Sequence, residues 1–162
     1  MGPAVTLASA NTASATFTAP TLAVGAPDST LTFKLTVTPS SGAAAVDSRV
    51  ATVTVTAPAD TIVPTVAAPT VTQVTSTTPK TVTMTTIATD NVGVTSVTFF
   101  YTYTTNGVKQ TGTVIGTKTA TANQWTGSFV PSVAASYTFT AVASDKAANQ
   151  TTSTATTKSI VR

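Results

Sequence analysis

The chain has 162 residues, enough for one large or two small domains, and its charge is sparse, with 8 Lys and Arg against 5 Asp and no Glu. The basic residues are scattered and form no run, so nucleic acid, which needs clustered cations, is not an expected partner. His and Cys are both absent, which excludes catalytic triads, His-bound or thiolate-bound zinc, and disulfides.

The composition also bears on location. The N-terminal sequence MGPAVTLASANTASA has neither a basic region nor a continuous apolar stretch, so it does not read as a signal peptide. No segment approaches the ~20 apolar residues that span a bilayer, so membrane insertion is not expected. Low charge with abundant Thr, Ser and Ala is typical of bacterial surface proteins. We therefore expect the mature part of an exported protein, located extracellularly or at the cell surface.

Threonine dominates the sequence, with 42 of 162 residues, and it alternates with apolar residues. In TLTFKLTVTP and KTVTMTTIAT, β-branched and aromatic residues occupy every second position, which is the period of a half-buried strand. No window shows an apolar stripe with the helical period. The sequence therefore predicts an all-β protein.

The first part of the chain contains four predicted strands. They cover residues 4–10, 13–20, 29–39 and 49–58, with the loop SSGAAAVD at 40–47 between the last two. Alternation then stops at 59–64, where Pro58 and Pro64 bracket Asp60. We interpret 59–64 as a linker between a first unit, 1–58, and a second unit, 65–162.

The second unit contains seven predicted strands. They cover residues 65–74, 80–89, 94–105, 108–121, 124–131, 135–144 and 151–161. Asn106-Gly107 is the strongest hairpin signal in the chain. Seven short strands in about 100 residues are typical of an immunoglobulin-like β-sandwich. Its predicted core holds Val82, Met84, Phe99 or Phe100, Trp125, Tyr137, Phe139 and Ala141.

Particular motifs carry a family resemblance. The segments IVPTV, ATDNVGVTSVTFFY, TGSFVP and YTFTAVASDKAANQTTS make residues 62–162 resemble a bacterial Ig-like domain of the kind found in tandem along secreted adhesins and large extracellular enzymes. The chain has Ala148 where that family more often has Gly. Residues 2–58, with GPAVTLASANTASATFTAP, STLTFKLTVTPSSG and ATVTVTAP, are similar to the C-terminal half of a PKD-like or cadherin-like repeat.

The second resemblance implies that the first unit is an incomplete sandwich of four strands, because three more normally precede GPAVTL in such repeats. Apolar faces and strand edges would then need cover. We expect Phe17, Phe33 and Leu35 to provide assembly contacts with copies of the chain or neighbouring domains. Dimerisation, strand complementation between chains, and packing of the four strands on the second unit remain alternatives.

Three of the five acidic residues lie at strand edges, in the linker and in the loops ATDNVGV (88–94) and ASDKAANQ (143–150). In an Ig-like sandwich the start of the first strand and these two loops gather at one end, at the domain junction. Carboxylate and amide oxygens are ligands of Ca²⁺, and related tandem repeats use calcium to stiffen the array. The predicted ligands are Asp60, Asp90, Asn91, Asp145 and Asn149. The alternative is that Asp and Asn simply begin β-turns.

Tyr101, Tyr103 and Trp125 are candidate ligand-binding residues, because aromatic faces stack on carbohydrate rings. The alternative for Trp125 is a core position in the sandwich. No residue constellation supports catalysis, so the chain is not expected to be an enzyme. The sequence favours a structural or adhesive module of a bacterial surface protein or fibre, which acts in spacing and assembly. The alternative function is a carbohydrate-binding accessory module of a secreted polysaccharide-degrading enzyme, with cell-surface glycans as partners.

Overall fold

The computed structural model describes residues 3–37, 39, 47–76 and 78–162, and at Asp47 only the backbone. The described chain is all-β and separates into two compact units, Met1–Asp60 and Thr61–Arg162. This division falls within the predicted linker. The predicted loop at 40–47 lies outside the described residues except at its last position. No helix among the described residues is long and apolar enough to cross a membrane.

The described residues of the first unit form four strands: β1 (Leu7–Ala8), β2 (Thr16–Phe17), β3 (Ser29–Val37) and β4 (Asp47–Val55). They form two separate antiparallel pairs, β1 with β2 and β3 with β4. The first two are much shorter than predicted. The long hairpin of β3 and β4 shows strict register over nine residue pairs, as its alternating sequence predicts.

Ten strands lie in the part of the second unit that the structure describes: β5 (Thr65–Val66), β6 (Thr70–Val74), β7 (Thr81–Thr89), β8 (Val94–Thr105), β9 (Val108–Ile115), β10 (Thr117–Lys118), β11 (Gln124–Phe129), β12 (Ala135–Asp145), β13 (Gln150–Thr152) and β14 (Thr156–Ile160). One sheet has the order β10-β11-β7-β5, with β6 also paired to β7. The other has the order β13-β12-β8-β9, with β14 also paired to β12. All pairings are antiparallel, and the architecture is a β-sandwich.

Three predicted strands are each divided into two, which corrects the sequence-based boundaries. Pro69 separates β5 from β6, since proline offers no N–H to a ladder. Gly116 separates β9 from β10, where the chain changes sheets. A Cβ on Gly116 would lie 2.8 Å from the carbonyl oxygen of Val97, so only glycine allows this close crossing. Ser153 separates β13 from β14, and its Oγ accepts a hydrogen bond from the Ala141 amide at 2.9 Å.

The core of the second unit lies between the two sheets. Its buried members include every predicted core position, with Phe99 inside and Phe100 39 % exposed on the outer face. The cluster comprises Val71, Val82, Met84, Ala88, Val94, Val97, Phe99, Trp125, Tyr137, Phe139, Ala141, Ala143 and Ile160. Buried side chains alternate with outward, mostly Thr or Ser, side chains on β7 and β12, because successive residues of a strand point to opposite faces.

Candidate functional site

Two carboxylates continue the inward rows of the sandwich beyond its apolar core. On β7 the inward positions are even-numbered and end at Ala88, so that Asp90, directly after the strand, is the next inward residue. On β12 they are odd-numbered and end at Asp145, which is 4 % exposed. Strand periodicity therefore places both carboxylates at the same end of the core, in rows whose other members are apolar except for Thr86.

Asp60 joins these two carboxylates. Ligand oxygens of Asp60, Asp90 and Asp145, one from each residue, all lie within 4.8 Å of one another. Two oxygens on opposite sides of a calcium ion are separated by about 4.8 Å, twice the Ca–O distance of about 2.4 Å. The three carboxylates are thus close enough to share one cation of this size. Asp60 is 7 % exposed, so the cluster is largely shielded from solvent.

The loop after β7 holds the Asp90 carboxylate in place. Its Oδ2 accepts hydrogen bonds from the amides of Val92, at 2.8 Å, and Gly93, at 2.9 Å. Gly93 has a φ of +126°, a conformation that favours glycine and sets the direction in which the chain leaves this loop for β8. The second oxygen, Oδ1, is buried and accepts no hydrogen bond from the part of the chain that the structure describes. A buried carboxylate oxygen in this state carries a desolvation cost that a bound cation would offset.

Asp145 is held by the loop that follows β12. Its Oδ1 accepts from the Asn149 amide at 2.9 Å, and its Oδ2 accepts from Asn149 Nδ2 at 2.7 Å. The same Nδ2 also contacts the carbonyl oxygen of Ile62 at 3.3 Å. Thr95 is an extra residue in the pairing of β8 with β12, and its hydroxyl donates to the carbonyls of Ser144 and Asp145. These contacts fix the Asp145 backbone and side chain together.

The five predicted metal ligands therefore fall into two groups. Asp60, Asp90 and Asp145 form the cluster itself. Asn149 is half-buried against Asp145, and its amide nitrogen orients that carboxylate, whereas the side chain of Asn91 is exposed. The turn contacts expected from the alternative interpretation are present as well, at Asp90 and Asp145. The two interpretations coexist, because each of these carboxylates bonds its own loop and also faces the other two.

The aromatic residues predicted to bind a ligand lie on the inner side of the sandwich. Tyr101 stacks on Phe129, with ring centroids 4.2 Å apart, and Tyr103 stacks on Tyr137 at 4.5 Å. Tyr101 also covers Gly112, where a Cβ would clash with the ring. Trp125 is 5 % exposed, so the core alternative for this residue is confirmed. A sugar-stacking platform needs open ring faces, whereas the two tyrosine rings stack on other aromatic rings and Trp125 is buried.

The three predicted assembly residues lie along one groove of the first unit. Phe17 and Phe33 are half-buried against each other, with ring centroids 4.8 Å apart. Leu35 is 60 % exposed. The groove has a volume of about 340 Å³, and all three side chains line it. Leu31 is the one described apolar residue of this unit that is buried.

A comparison of the chain with protein-family models, with curated proteins and with solved structures finds no match. The site is therefore interpreted from its own residues. One further feature, a cavity lined by Lys80, Ser132 and Arg162, carries no sequence motif that would have indicated it.

Proposed function

We propose that this chain is a non-catalytic structural module of an extracellular bacterial surface protein or fibre, acting in spacing and assembly, and that Ca²⁺ binds to Asp60, Asp90 and Asp145. The observation that carries the calcium site is the convergence of three carboxylates within 4.8 Å, together with the buried, unbonded Oδ1 of Asp90. Like charges this close repel one another strongly in a shielded site. A hard divalent cation converts that repulsion into attraction and accepts oxygen ligands only.

The mechanical consequence follows from where the ligands lie in the sequence. Asp60 is in the segment that precedes β5, whereas Asp90 follows β7 and Asp145 ends β12, two long strands of the opposing sheets. A shared ion would tie that segment to both sheets and limit its backbone freedom. Such a link suits a protein that maintains a fixed spacing under mechanical force.

Thermal unfolding with 1 mM CaCl₂ and with chelator tests the site. A cation that binds only the folded chain stabilises it by RT ln(1 + [L]/Kd), about 2.7 kcal/mol at a concentration of 100 Kd. We expect a higher midpoint in calcium for the unaltered chain and little or no calcium response for Asp90→Asn and Asp145→Asn.

Asp28→Asn is the matched control, because it removes the same charge outside the cluster, where Asp28 Oδ1 accepts the Ala57 amide at 3.0 Å. Its calcium response is expected to equal that of the unaltered chain. Identical midpoints in calcium and chelator for the unaltered chain would remove the metal from the proposal. A calcium response that survives Asp90→Asn would place the ion elsewhere.

Assembly is the second part of the proposal, and we infer that it proceeds by strand complementation between chains. Within the described residues, β3 and β4 pair only with each other, so each has an edge open for another strand. The groove beside them is lined by Phe17, Phe33 and Leu35. A strand from a second copy would add backbone hydrogen bonds at the edge and apolar contacts in the groove.

Sedimentation of Leu35→Asp against Val108→Asp tests this part, because the two side chains are similarly exposed, at 60 % and 59 %, and lie in different units. We expect the unaltered chain and Val108→Asp to associate at micromolar concentration and Leu35→Asp to sediment as a monomer. A monomeric unaltered chain whose β3 and β4 amides resist hydrogen exchange would contradict strand complementation.

A further inference from the structure

Strand β3 has an open edge along its whole length. Within the described residues, β3 pairs only with β4, and that ladder occupies one of its two edges. No proline interrupts residues 29–37, whereas Pro27 lies just before the strand and has no N–H to offer to a ladder. An added strand can therefore pair with β3 as far back as Asp28.

Two charged residues mark this edge, Asp28 and Lys34, and both are exposed. Six residues of extended chain span about 20 Å, so these two charges cannot pair within one copy. Asp28 Oδ1 accepts the Ala57 amide at 3.0 Å, which leaves Oδ2, and Lys34 forms no hydrogen bond or ion pair with the described part of the chain. Both charges are therefore available to a second chain.

A two-fold antiparallel pairing of β3 with β3 of a second copy brings these charges together. When Leu31 of each copy lies at the two-fold axis, Asp28 of one copy lies opposite Lys34 of the other, because antiparallel partners are equally far from the axis. The contact then contains two such pairs. Opposite charges that face each other across strands favour the pairing, and like charges disfavour it.

The same register also matches the apolar faces. Odd-numbered residues lie opposite odd-numbered residues, so the face that carries Phe33 and Leu35 continues into the second copy on the same side of the sheet. Leu35, which is 60 % exposed, comes next to Pro27 of the second copy, just beyond the ion pair. Apolar contact is thereby added at both ends of the ladder.

The other pairings of these two strand edges lack this match. The charged residues of β4, Asp47 and Arg49, are two positions apart, so a two-fold pairing that joins them overlaps only residues 47–49 of the strand. Pairing β3 with β4 of a second copy keeps the apolar faces together only when odd positions meet odd positions. Asp28 and Lys34 are at even positions and the charges of β4 at odd ones, so no charges meet in such a pairing.

We propose that two copies of this chain associate through β3, in an antiparallel two-fold contact centred on Leu31 and held in register by Asp28 and Lys34. The inference rests on the assembly proposed above and specifies its edge, its symmetry and its register. A two-fold contact uses the same edge of both copies and closes on itself, so this contact produces a dimer.

Sedimentation of two charge-reversal variants of the full 162-residue chain, alone and mixed, tests the register. Lys34→Asp would place aspartates opposite each other, and Asp28→Lys would place lysines opposite each other. Each variant alone is expected to associate about tenfold more weakly than the unaltered chain, because both exposed pairs become repulsive. In an equimolar mixture, every charge again faces an opposite one. We therefore expect a mixed dimer with an affinity close to that of the unaltered chain, which would also show that both variants fold.

Lys109→Asp is the matched control, because it reverses the charge of an exposed lysine on β9, in the second unit. This variant is expected to associate as the unaltered chain does, and it is not expected to restore the association of Asp28→Lys in a mixture. A monomeric unaltered chain at micromolar concentration would contradict assembly altogether, and this contact with it.

Association that persists in both charge-reversal variants would leave assembly standing and overturn the β3 contact alone. Weak association of both variants without recovery in their mixture would overturn the register. A lysine on an edge strand can also serve to prevent pairing. Tighter association of Lys34→Ala than of the unaltered chain would show that role for Lys34 and would likewise overturn the contact.

Discussion

Ala148 occupies a backbone conformation that favours glycine. Its φ is +68°, in the left-handed region that costs a residue with a Cβ about 1–2 kcal/mol. The conformation lets the chain reverse between Asp145 and Asn149, whose amide nitrogen then bonds the Asp145 carboxylate.

Replacing Ala148 with Gly is therefore expected to stabilise the second unit by about 0.5–1 kcal/mol, because the relieved strain exceeds the extra chain entropy of glycine in the unfolded state. Ala147→Gly is the control, since Ala147 is equally exposed but has no positive φ. The Ala147→Gly variant is expected to be less stable than the unaltered chain by about 0.5–1 kcal/mol. Urea unfolding gives the free energy of unfolding of both variants. A loss of stability in both would contradict the backbone strain at Ala148.

Tyr137 provides a second prediction at this scale, through pH. Burial raises the pKa of its phenol above the ordinary value of 10.0, with the neighbouring Tyr103 as a lesser cause. Between pH 10 and the raised pKa, the folded chain keeps a proton that the unfolded chain releases. The stabilising contribution of the neutral Tyr137 phenol is therefore fully present below pH 10. It is lost as the pH rises from 10 through the raised pKa.

Tyr137→Phe removes this proton release, at the expense of the hydrogen bond from its hydroxyl to the Val133 carbonyl oxygen at 3.1 Å. We expect the variant to be less stable by about 1 kcal/mol at pH 7 and to lose less stability than the unaltered chain between pH 9 and pH 11. Chemical unfolding at several pH values provides the comparison. Parallel stability curves for the two proteins would show that Tyr137 does not titrate in this range.

At the scale of strands, the two sheets are joined at one side by side chains. Gln73 on β6 donates from Nε2 to the Val161 carbonyl oxygen and accepts the Val161 amide at 3.1 Å, just after β14. Lys158 on β14 donates to the Val71 carbonyl oxygen at 2.8 Å. These bonds satisfy backbone groups where a strand of one sheet meets a strand of the other, and they limit access to both edges.

Gln73→Ala is expected to lower the free energy of unfolding by about 1–2 kcal/mol, for two lost hydrogen bonds, and to accelerate hydrogen exchange at the Val161 amide. Gln150→Ala, at an exposed position of β13, is the control and is expected to change stability by less than about 0.5 kcal/mol. Unchanged exchange at Val161 in Gln73→Ala would mean that the amide is protected by other contacts.

At the scale of the molecule, the two units differ in how much apolar surface they bury. All but one of the buried apolar residues of the described chain belong to the second unit, and Leu31 is the exception. Apolar burial is the dominant favourable term in folding, so the second unit carries most of the stability.

A chain of residues 61–162 is accordingly expected to fold alone, with β-sheet circular dichroism and cooperative unfolding, whereas residues 1–60 alone are expected to be largely unfolded as a monomer. Circular dichroism and thermal melts of the two fragments measure this. An unfolded 61–162 fragment would contradict the conclusion that the second unit carries most of the stability. A cooperatively folded monomer of 1–60 would show that four strands suffice.

The sequence by itself determined the all-β class, the inward positions of β7 and β12, and the three aspartates of the cluster. These follow from local rules, because a period of two fixes which side chains share a face, and Asp at a strand end begins a turn. The alternation also predicted core residues, since Val82, Tyr137 and Phe139 occupy the inward positions of their strands and are buried.

Only the tertiary structure decided how these elements meet. The splits at Pro69, Gly116 and Ser153 depend on a partner strand or sheet, which spacing along the chain does not specify. Trp125, Tyr101 and Tyr103 were ambiguous because an aromatic residue on a strand serves equally in a core or on a surface, and packing assigned them to the inner side. The cavity of Lys80, Ser132 and Arg162 joins three distant segments, so its walls meet only in the folded sandwich.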